Sequence, residues 1–294
     1  MHPRNTRIFL LKNRPARAVA LRGAPAVHIS RAQKERLAEM RRTVLAYWKR
    51  AGRDNLPWRK TRDPYRVLVS EMMLQQTQVH RVVPYYERFI ERFPTAASLA
   101  EAPLADVLAL WSGLGYNRRA KYLHAAASQF SVLCSPDRKT MAYEDLRRLP
   151  GVGDYTAKAV RVFAFSEPEA LIETNVRAVF IRYFFPKARK VSDERLMPLI
   201  EEAVADLPRG TSVRAWYSAL MDYGTCLKAT QANPSRKSTH YVRQSKFEGS
   251  LRQVRGAIVR ALIRNEGLIS VRNKFPKRFD EAYRALRREG FIQT

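Results

Sequence analysis

Two glutamates occupy positions where a carboxyl group can be made to do acid–base work. Glu71 lies inside VSEMMLQQTQV at 69–79, one position from an apolar series, Tyr65, Leu68, Val69, Met72 and Met73, at helical spacing. A carboxyl beside such a stripe is partly desolvated, which favours the neutral acid and raises its pKa toward the pH at which a proton is held and then delivered. Glu173, with Thr174, directly precedes a second apolar-periodic run, Val176, Val179, Phe180, Tyr183 and Phe184. There the unpaired N–H groups and dipole of a helix N-terminus favour the carboxylate, so the expected push on its pKa is downward. Two acids driven apart in this way suit cleavage of a glycosidic bond through a cationic sugar, one donating a proton and the other stabilising positive charge. Taken singly, Glu71 also fits a helix-surface residue and Glu173 an ordinary N-cap.

A third segment, LPGVGDYTAKAV at 149–160, reads as a helix-hairpin-helix spanning 143–165. Gly151 and Gly153 let the backbone turn tightly and approach a phosphate, Val152 lies between them, and the N–H groups opening the next helix, near Thr156, face the anion. Such a contact reads no base sequence. A tight turn between core helices is the plainer alternative. Gln75, Gln76 and Gln78 crowd the exit of the Glu71 helix with amides able to reach base edges or the space left by an unstacked base.

The elements that must position these residues are helices. From about Arg31 to Phe247 apolar periodicity near 3.6 repeats between Pro and Gly breaks, and no sustained alternation demands a sheet, so the fold class expected is all-α. Asp63-Pro64 is a strong helix start, a capping residue followed by Pro at the first position. Residues 1–34 hold eight Lys or Arg and no acid, and residues 1–30 read as a basic, disordered arm, with an organellar targeting peptide as an alternative of similar composition. Basic residues accumulate again around Asn233-Pro234, giving a connector at 231–249. Residues 250–294 read as a small appendage with helices near 250–265 and 277–289, either contacting nucleic acid or packed as a charged hairpin on the body.

Charge narrows the partner. The 294 residues carry 54 Lys and Arg against 27 Asp and Glu, a net +27, which excludes an ordinary neutral metabolic enzyme and points to nucleic acid. No apolar run is long enough to span a bilayer, so no membrane partner is expected. Cys134 and Cys226 make neither a disulfide framework nor a four-thiolate site, and His2, His28, His80, His124 and His240 are too dispersed for a zinc site, so no bound metal is expected from these side chains.

In order and at matching spacing, LPWR at 56–59, SEMMLQQTQV at 70–79, ALWSGLGY at 109–116, LPGVGDYTA at 149–157 and ETNVR at 173–177 resemble the helix-hairpin-helix (HhH-GPD) DNA glycosylases, closest to the adenine-specific mismatch glycosylases of the MutY type. The resemblance implies a two-lobed helical fold. One lobe combines 31–64 with 170–230 and carries Glu173; the other, 65–169, has six helices and the hairpin. It makes Glu71 the acid that protonates the adenine leaving group and Glu173 the partner of the oxocarbenium ion. Tyr155 stands where bifunctional relatives keep a Schiff-base lysine, which implies a monofunctional enzyme. Gln75, Gln76, Thr77, Leu114, Tyr116, Gly151, Val152, Gly153 and Thr156 become DNA contacts, with Gln76 and Tyr116 as wedges.

The chain also departs from that pattern. The family usually has Asp at the place of Glu173, and one more methylene moves the carboxylate by about 1.5 Å. After MDYGTC at 221–226, Lys228 and NPSRKS replace the cysteines of an iron–sulfur cluster, so none is expected; a monovalent cation at the hairpin is the one inorganic ligand kept open. The stretch after Ser245 is short for the domain that reads 8-oxoguanine. The expected activity is hydrolytic release of adenine opposite guanine or 8-oxoguanine by a cytoplasmic or nucleoid-associated monomer on double-stranded DNA. Alternatives are release of thymine, uracil, hypoxanthine or an alkylated purine, and a non-catalytic DNA-binding protein on the same scaffold.

Overall fold

The polar ends of the helices explain where they begin. In the computed structural model, which describes residues 29–134 and 139–292, Ser30 caps α1 (Arg31–Ala51) with a full capping box through Gln33. Asp63 caps α2 (Pro64–Leu74), its Oδ1 accepting from the amides of Tyr65 (2.8 Å) and Arg66 (3.3 Å), with Pro64 at the first helical position. Five helices follow: α3 (Val79–Arg92), α4 (Ala96–Ala100), α5 (Leu104–Trp111), α6 (Arg118–Leu133) and α7 (Tyr143–Arg147). Then come α8 (Asp154–Phe165), α9 (Thr174–Phe184), α10 (Asp193–Ala205) and α11 (Val213–Thr230). The chain closes with α12 (Leu251–Ile263), α13 (Ile269–Lys274) and α14 (Phe279–Arg288). Among the described residues there is no strand, only an isolated bridge between Val191 and Ser238, and no helix is long and apolar enough to cross a membrane. The basic arm lies outside the described residues, apart from Ile29 and Ser30.

Three apolar cores result. The first gathers α2 to α8 around Trp111, Phe89 and Phe93; the second gathers α1 and α9 to α11 around Trp216, Tyr217 and Phe180. Helix α8 belongs to both, giving Ala157 and Val160 to the first and Ala159 and Val162 to the second. It is therefore the wall between them, and it carries Tyr155. The third core is formed by Val254, Ile258 and Val259 of α12 against Phe279, Ala282 and Leu286 of α14.

Several expectations about the elements are corrected. Leu56 and Trp58 pack in the first core, Trp58 edge-on to Tyr86 at 5.4 Å between ring centroids, so the chain of the lobe that bears the hairpin begins before residue 65. Seven helices rather than six lie between Pro64 and Phe165, because α4 and α7 are five-residue turns without a periodic stripe of their own. Within the connector a 3-10 turn, Pro234–Lys237, buries Pro234 and Ser235. The tail has three helices, since α13 interrupts the span expected as loop; it has a core of its own and also packs on the body, with Ile263 and Phe291 against the first core.

Candidate active site

A cavity of about 330 Å³ opens where the first and second cores meet. Glu71 from α2, Tyr155 from α8 and Glu173 from the cap of α9 line it together, alongside Trp58, Val67 and Phe163. The two carboxyls singled out in the sequence, about a hundred residues apart in the chain, share this one cavity.

Glu71 is more deeply buried than a flanking position on an amphipathic helix would be. Tyr65 and every residue from Val67 to Met73 are buried, so α2 is a central helix enclosed on most sides, and Glu71 is 8% exposed. Burial pushes its pKa up to about 7, the nearby Glu173 adds to the rise, and the Tyr155 hydroxyl opposes it by hydrogen bonding to the carboxylate. Burial and the two acids lift the Tyr155 phenol far above its ordinary range, which keeps it a neutral donor.

Glu173 caps α9 as the sequence suggested, but its pKa moves the other way. Its Oε1 accepts from the amides of Asn175 (2.8 Å) and Val176 (2.9 Å), and Oε2 from the Asn175 side chain (3.1 Å). These bonds, with Lys228 and Arg177, favour the carboxylate, yet desolvation outweighs them and the net shift is upward. The local sequence shows the cap; it does not show that α11 closes over it. Gly224 permits that closure, since a Cβ there would lie 2.6 Å from Asn175. Lys228, on the same helix, has its own pKa lowered by burial, against the pull of Glu173.

Sequence reasoning missed the cationic wall of the cavity. Asp222, 2% exposed, accepts from Arg53 Nε (2.6 Å) and the Arg53 amide (2.9 Å), and from Arg59 Nη1 (2.6 Å) and Nη2 (2.9 Å). The two guanidiniums hold the Asp222 pKa below its ordinary value despite burial. Arg214 donates to the Arg59 carbonyl (2.5 Å), adding a third arginine to the lining. The signal available was MDYGTC, an acid inside an apolar helix, which demands a buried cation as partner.

Arg119 was missed as well. It is buried and collects the carbonyls of Met72 (2.9 Å), Met73 (2.7 Å) and Gln75 (2.7 Å) at the end of α2, then Thr77 Oγ1 (3.1 Å) and the Gly115 carbonyl (2.8 Å). One side chain thus ties the glutamine turn to the 113–117 loop. Gln76 and Tyr116, at the tips of these segments, both hold left-handed φ, 54° and 53°, a conformation uncommon for non-glycine residues. Gln76 is exposed and Tyr116 half-buried.

The remaining sequence candidates divide. Gln75 lines the cavity and reaches Thr156 Oγ1 at 3.4 Å. Thr77 lines it too, but its hydroxyl is engaged by Arg119 and by the Gln75 carbonyl. Leu114, Val152 and Thr156 are 3%, 4% and 3% exposed, so their side chains support the loops from inside and are not available to DNA. The Val152 amide is spent on the Leu149 carbonyl (3.1 Å), closing the hairpin. Gly151 holds φ +75° against Tyr122, and Gly153, capping α8, leaves open space where a Cβ would be. Gly151 and Gly153 are both exposed, and the first amides of α8 have no carbonyl partner within the helix. Arg147 donates to the Val152 carbonyl at 2.6 Å, so a positive charge already occupies one oxygen that a cation at the hairpin could use.

Residues 69–205 match the HhH-GPD superfamily of base excision DNA repair proteins. The chain is similar to the adenine DNA glycosylase of Buchnera aphidicola subsp. Baizongia pistaciae (strain Bp), 34% identical over 189 residues, 64% of this chain and 53% of that protein. The adenine DNA glycosylase of Mycolicibacterium smegmatis (strain ATCC 700084 / mc(2)155) is 40% identical over 186 residues, 62% of this chain and 60% of that protein. Among solved structures, a thermostable thymine-DNA glycosylase superposes with a TM-score of 0.58 at 26% identity, over 70% of this chain and 94% of that one. The chain thus spans a little over half the length of these two curated relatives. The residues after α11 do not fit an iron–sulfur cluster. The two cysteines of the chain lie apart, Cys134 closing α6 and Cys226 within α11, and cannot supply four thiolates.

Proposed function

We propose that the chain is a monofunctional adenine DNA glycosylase that removes adenine opposite guanine or 8-oxoguanine and leaves an abasic site. The observation that carries this reading is the convergence of Glu71 and Glu173 on one cavity. In the proposed reaction Glu71 gives its proton to the adenine as the N-glycosidic bond breaks, the bonding electrons leaving with the base. Positive charge on the sugar is met by Glu173, whose ionised form its two amide bonds, Asn175 and Lys228 already support. Water adds to the sugar carbon and releases a proton. The side chains lining the cavity include no lysine, and Tyr155 is a neutral phenol, which supports hydrolysis over Schiff-base formation and strand cleavage.

Double-stranded DNA is the proposed partner. The net charge of +27, the hairpin's open glycine and the exposed Gln76 support it, and binding should weaken steeply with salt. The adenine assignment follows the two curated relatives; the thymine-DNA glycosylase neighbour supports a second reading, thymine opposite guanine. Duplexes bearing single A·G, A·8-oxoguanine, G·T, G·U or hypoxanthine sites separate these. Strand nicks after alkali on the two adenine substrates are the expected result. Nicks on G·T alone establish the second reading, nicks without alkali refute the monofunctional assignment, and tight binding with no nicks on any duplex leaves a non-catalytic scaffold.

A further inference from the structure

Beyond Gln76 and Tyr116 lies a second, larger concavity of about 900 Å³ between the catalytic body and the C-terminal helices. It meets the inner cavity only at Gln75 and Gln76, which line both. Six arginines face it, Arg118, Arg119, Arg243, Arg252, Arg255 and Arg278, against one acid, Glu289. Glu289 is taken by Arg255 (2.8 and 2.5 Å), with Arg118 at 3.6 Å, and Arg119 is spent on the turn after α2. Arg243 and Arg278 are exposed and have no ion pair among the described residues. At the joint between the two walls, the guanidiniums of Arg119 and Arg252 both lie over the Tyr116 ring, 5.4 and 5.3 Å from its centroid. Its hydroxyl accepts from Arg252 and from Gln244 (2.7 Å).

Gly256 is an independent observation. It sits in the middle of the 13-residue α12, where glycine costs about 1 kcal/mol relative to alanine. Internal packing does not account for it, because an added Cβ would meet only the flexible tip of Arg260, at an ordinary 3.5 Å. Yet Gly256 faces the groove. A glycine whose one near neighbour is the movable tip of Arg260, on the wall of an arginine-lined channel, is suited to close approach by a polyanionic backbone from outside the chain.

We propose that this groove seats the sugar–phosphate backbone of the strand that stays in the duplex, opposite the extruded nucleotide, and that the α12–α14 unit is its second wall. The strand assignment rests on the function proposed above. A nucleotide drawn into the inner cavity passes the Gln76 and Tyr116 tips, and its former partner's strand runs on their far side, where the groove lies. Arg252 is then a positioning residue for Tyr116 as well as part of the cationic wall.

The test compares Gly256→Ala, Gly256→Leu and the double variant Arg243→Glu/Arg278→Glu with the wild-type chain. Equilibrium binding is measured on a duplex with one abasic analogue opposite guanine, with neutral methylphosphonates placed in neither strand, the analogue strand or the opposite strand. Gly256→Ala should keep or raise the melting temperature, showing that the helix tolerates a Cβ. Gly256→Leu should bind about tenfold or more weakly, the scale of an overpacked contact. The double variant should lower the slope of log K against log salt by about two, roughly one per phosphate contact. Methylphosphonates in the opposite strand should weaken the wild type and no longer weaken the double variant. Wild-type affinity and salt slope in these variants would overturn the groove, and sensitivity lost only toward the analogue strand would overturn the strand assignment. Adenine release is followed in parallel. A wild-type chain that binds but releases no adenine sinks the inner-cavity reading instead, so the two failures are distinguishable.

Discussion

Replacing Glu71 with Gln removes the only proton the proposed mechanism can deliver to the leaving base, and it should do so while making the fold more stable. The carboxyl ionises near 7 in place of the ordinary 4.5, because it is 8% exposed. About half of it is therefore protonated at pH 7 and about a tenth at pH 8, so wild-type base release should fall roughly fivefold over that interval. In the variant the pH-dependent step is gone and the single-turnover rate at pH 6 should drop about 100-fold to 10,000-fold, the usual worth of a general acid. Stability has the opposite sign. A carboxyl with a raised folded-state pKa binds its proton more tightly folded than unfolded, so stability falls as pH rises from about 4.5 to about 7. The loss is about 3 kcal/mol once both states are ionised, at 1.36 kcal/mol per pH unit. The Gln variant should therefore melt several degrees above wild type at pH 8 and at the same temperature at pH 4. Single-turnover kinetics on a preformed A·G complex and melting curves across pH check both halves. A variant within tenfold of the wild-type rate at pH 6 would refute the acid role, and equal melting temperatures at pH 8 would refute the burial argument beneath it.

Three further outcomes follow from the same geometry. Tyr155→Phe deletes the hydroxyl that favours ionised Glu71, so the alkaline limb of the pH–rate profile should move to higher pH; an unchanged or acid-shifted limb counts against the contact. Glu173→Asp keeps a residue type that caps helices well and should leave base release within about tenfold of wild type, whereas Glu173→Ala should lose both the activity and about 1 kcal/mol of stability, read by urea melts. A collapse in the Asp variant would mean that the cavity is built around the longer acid. Gly153→Ala puts a methyl group where nothing lies within 4 Å, so melting should be unchanged while DNA affinity falls; unaltered binding would remove the hairpin from the phosphate contact.

The local sequence determined a good deal of this protein. Helical periodicity, the Asp63-Pro64 start, the Glu173 cap and the Gly151/Gly153 hairpin follow from interactions within a few residues, and such short-range physics can be read along the chain. Charge alone gave the kind of partner to look for. What the tertiary structure decided was everything that depends on burial by distant segments. Glu71 is desolvated because α2 is enclosed on most sides, and Glu173 reverses its expected shift because α11 closes over its cap. Arg53 and Arg59 meet Asp222 across more than 160 residues, and Arg119 joins two loops over more than 40. Leu114 and Thr156, which resemble contact residues in the chain, are buried, Leu114 in the first core and Thr156 with its hydroxyl facing the Gln75 amide. Desolvation is set by the three-dimensional surroundings of a group, so spacing along the chain brought these residues to notice, and packing fixed their protonation, their partners and their exposure.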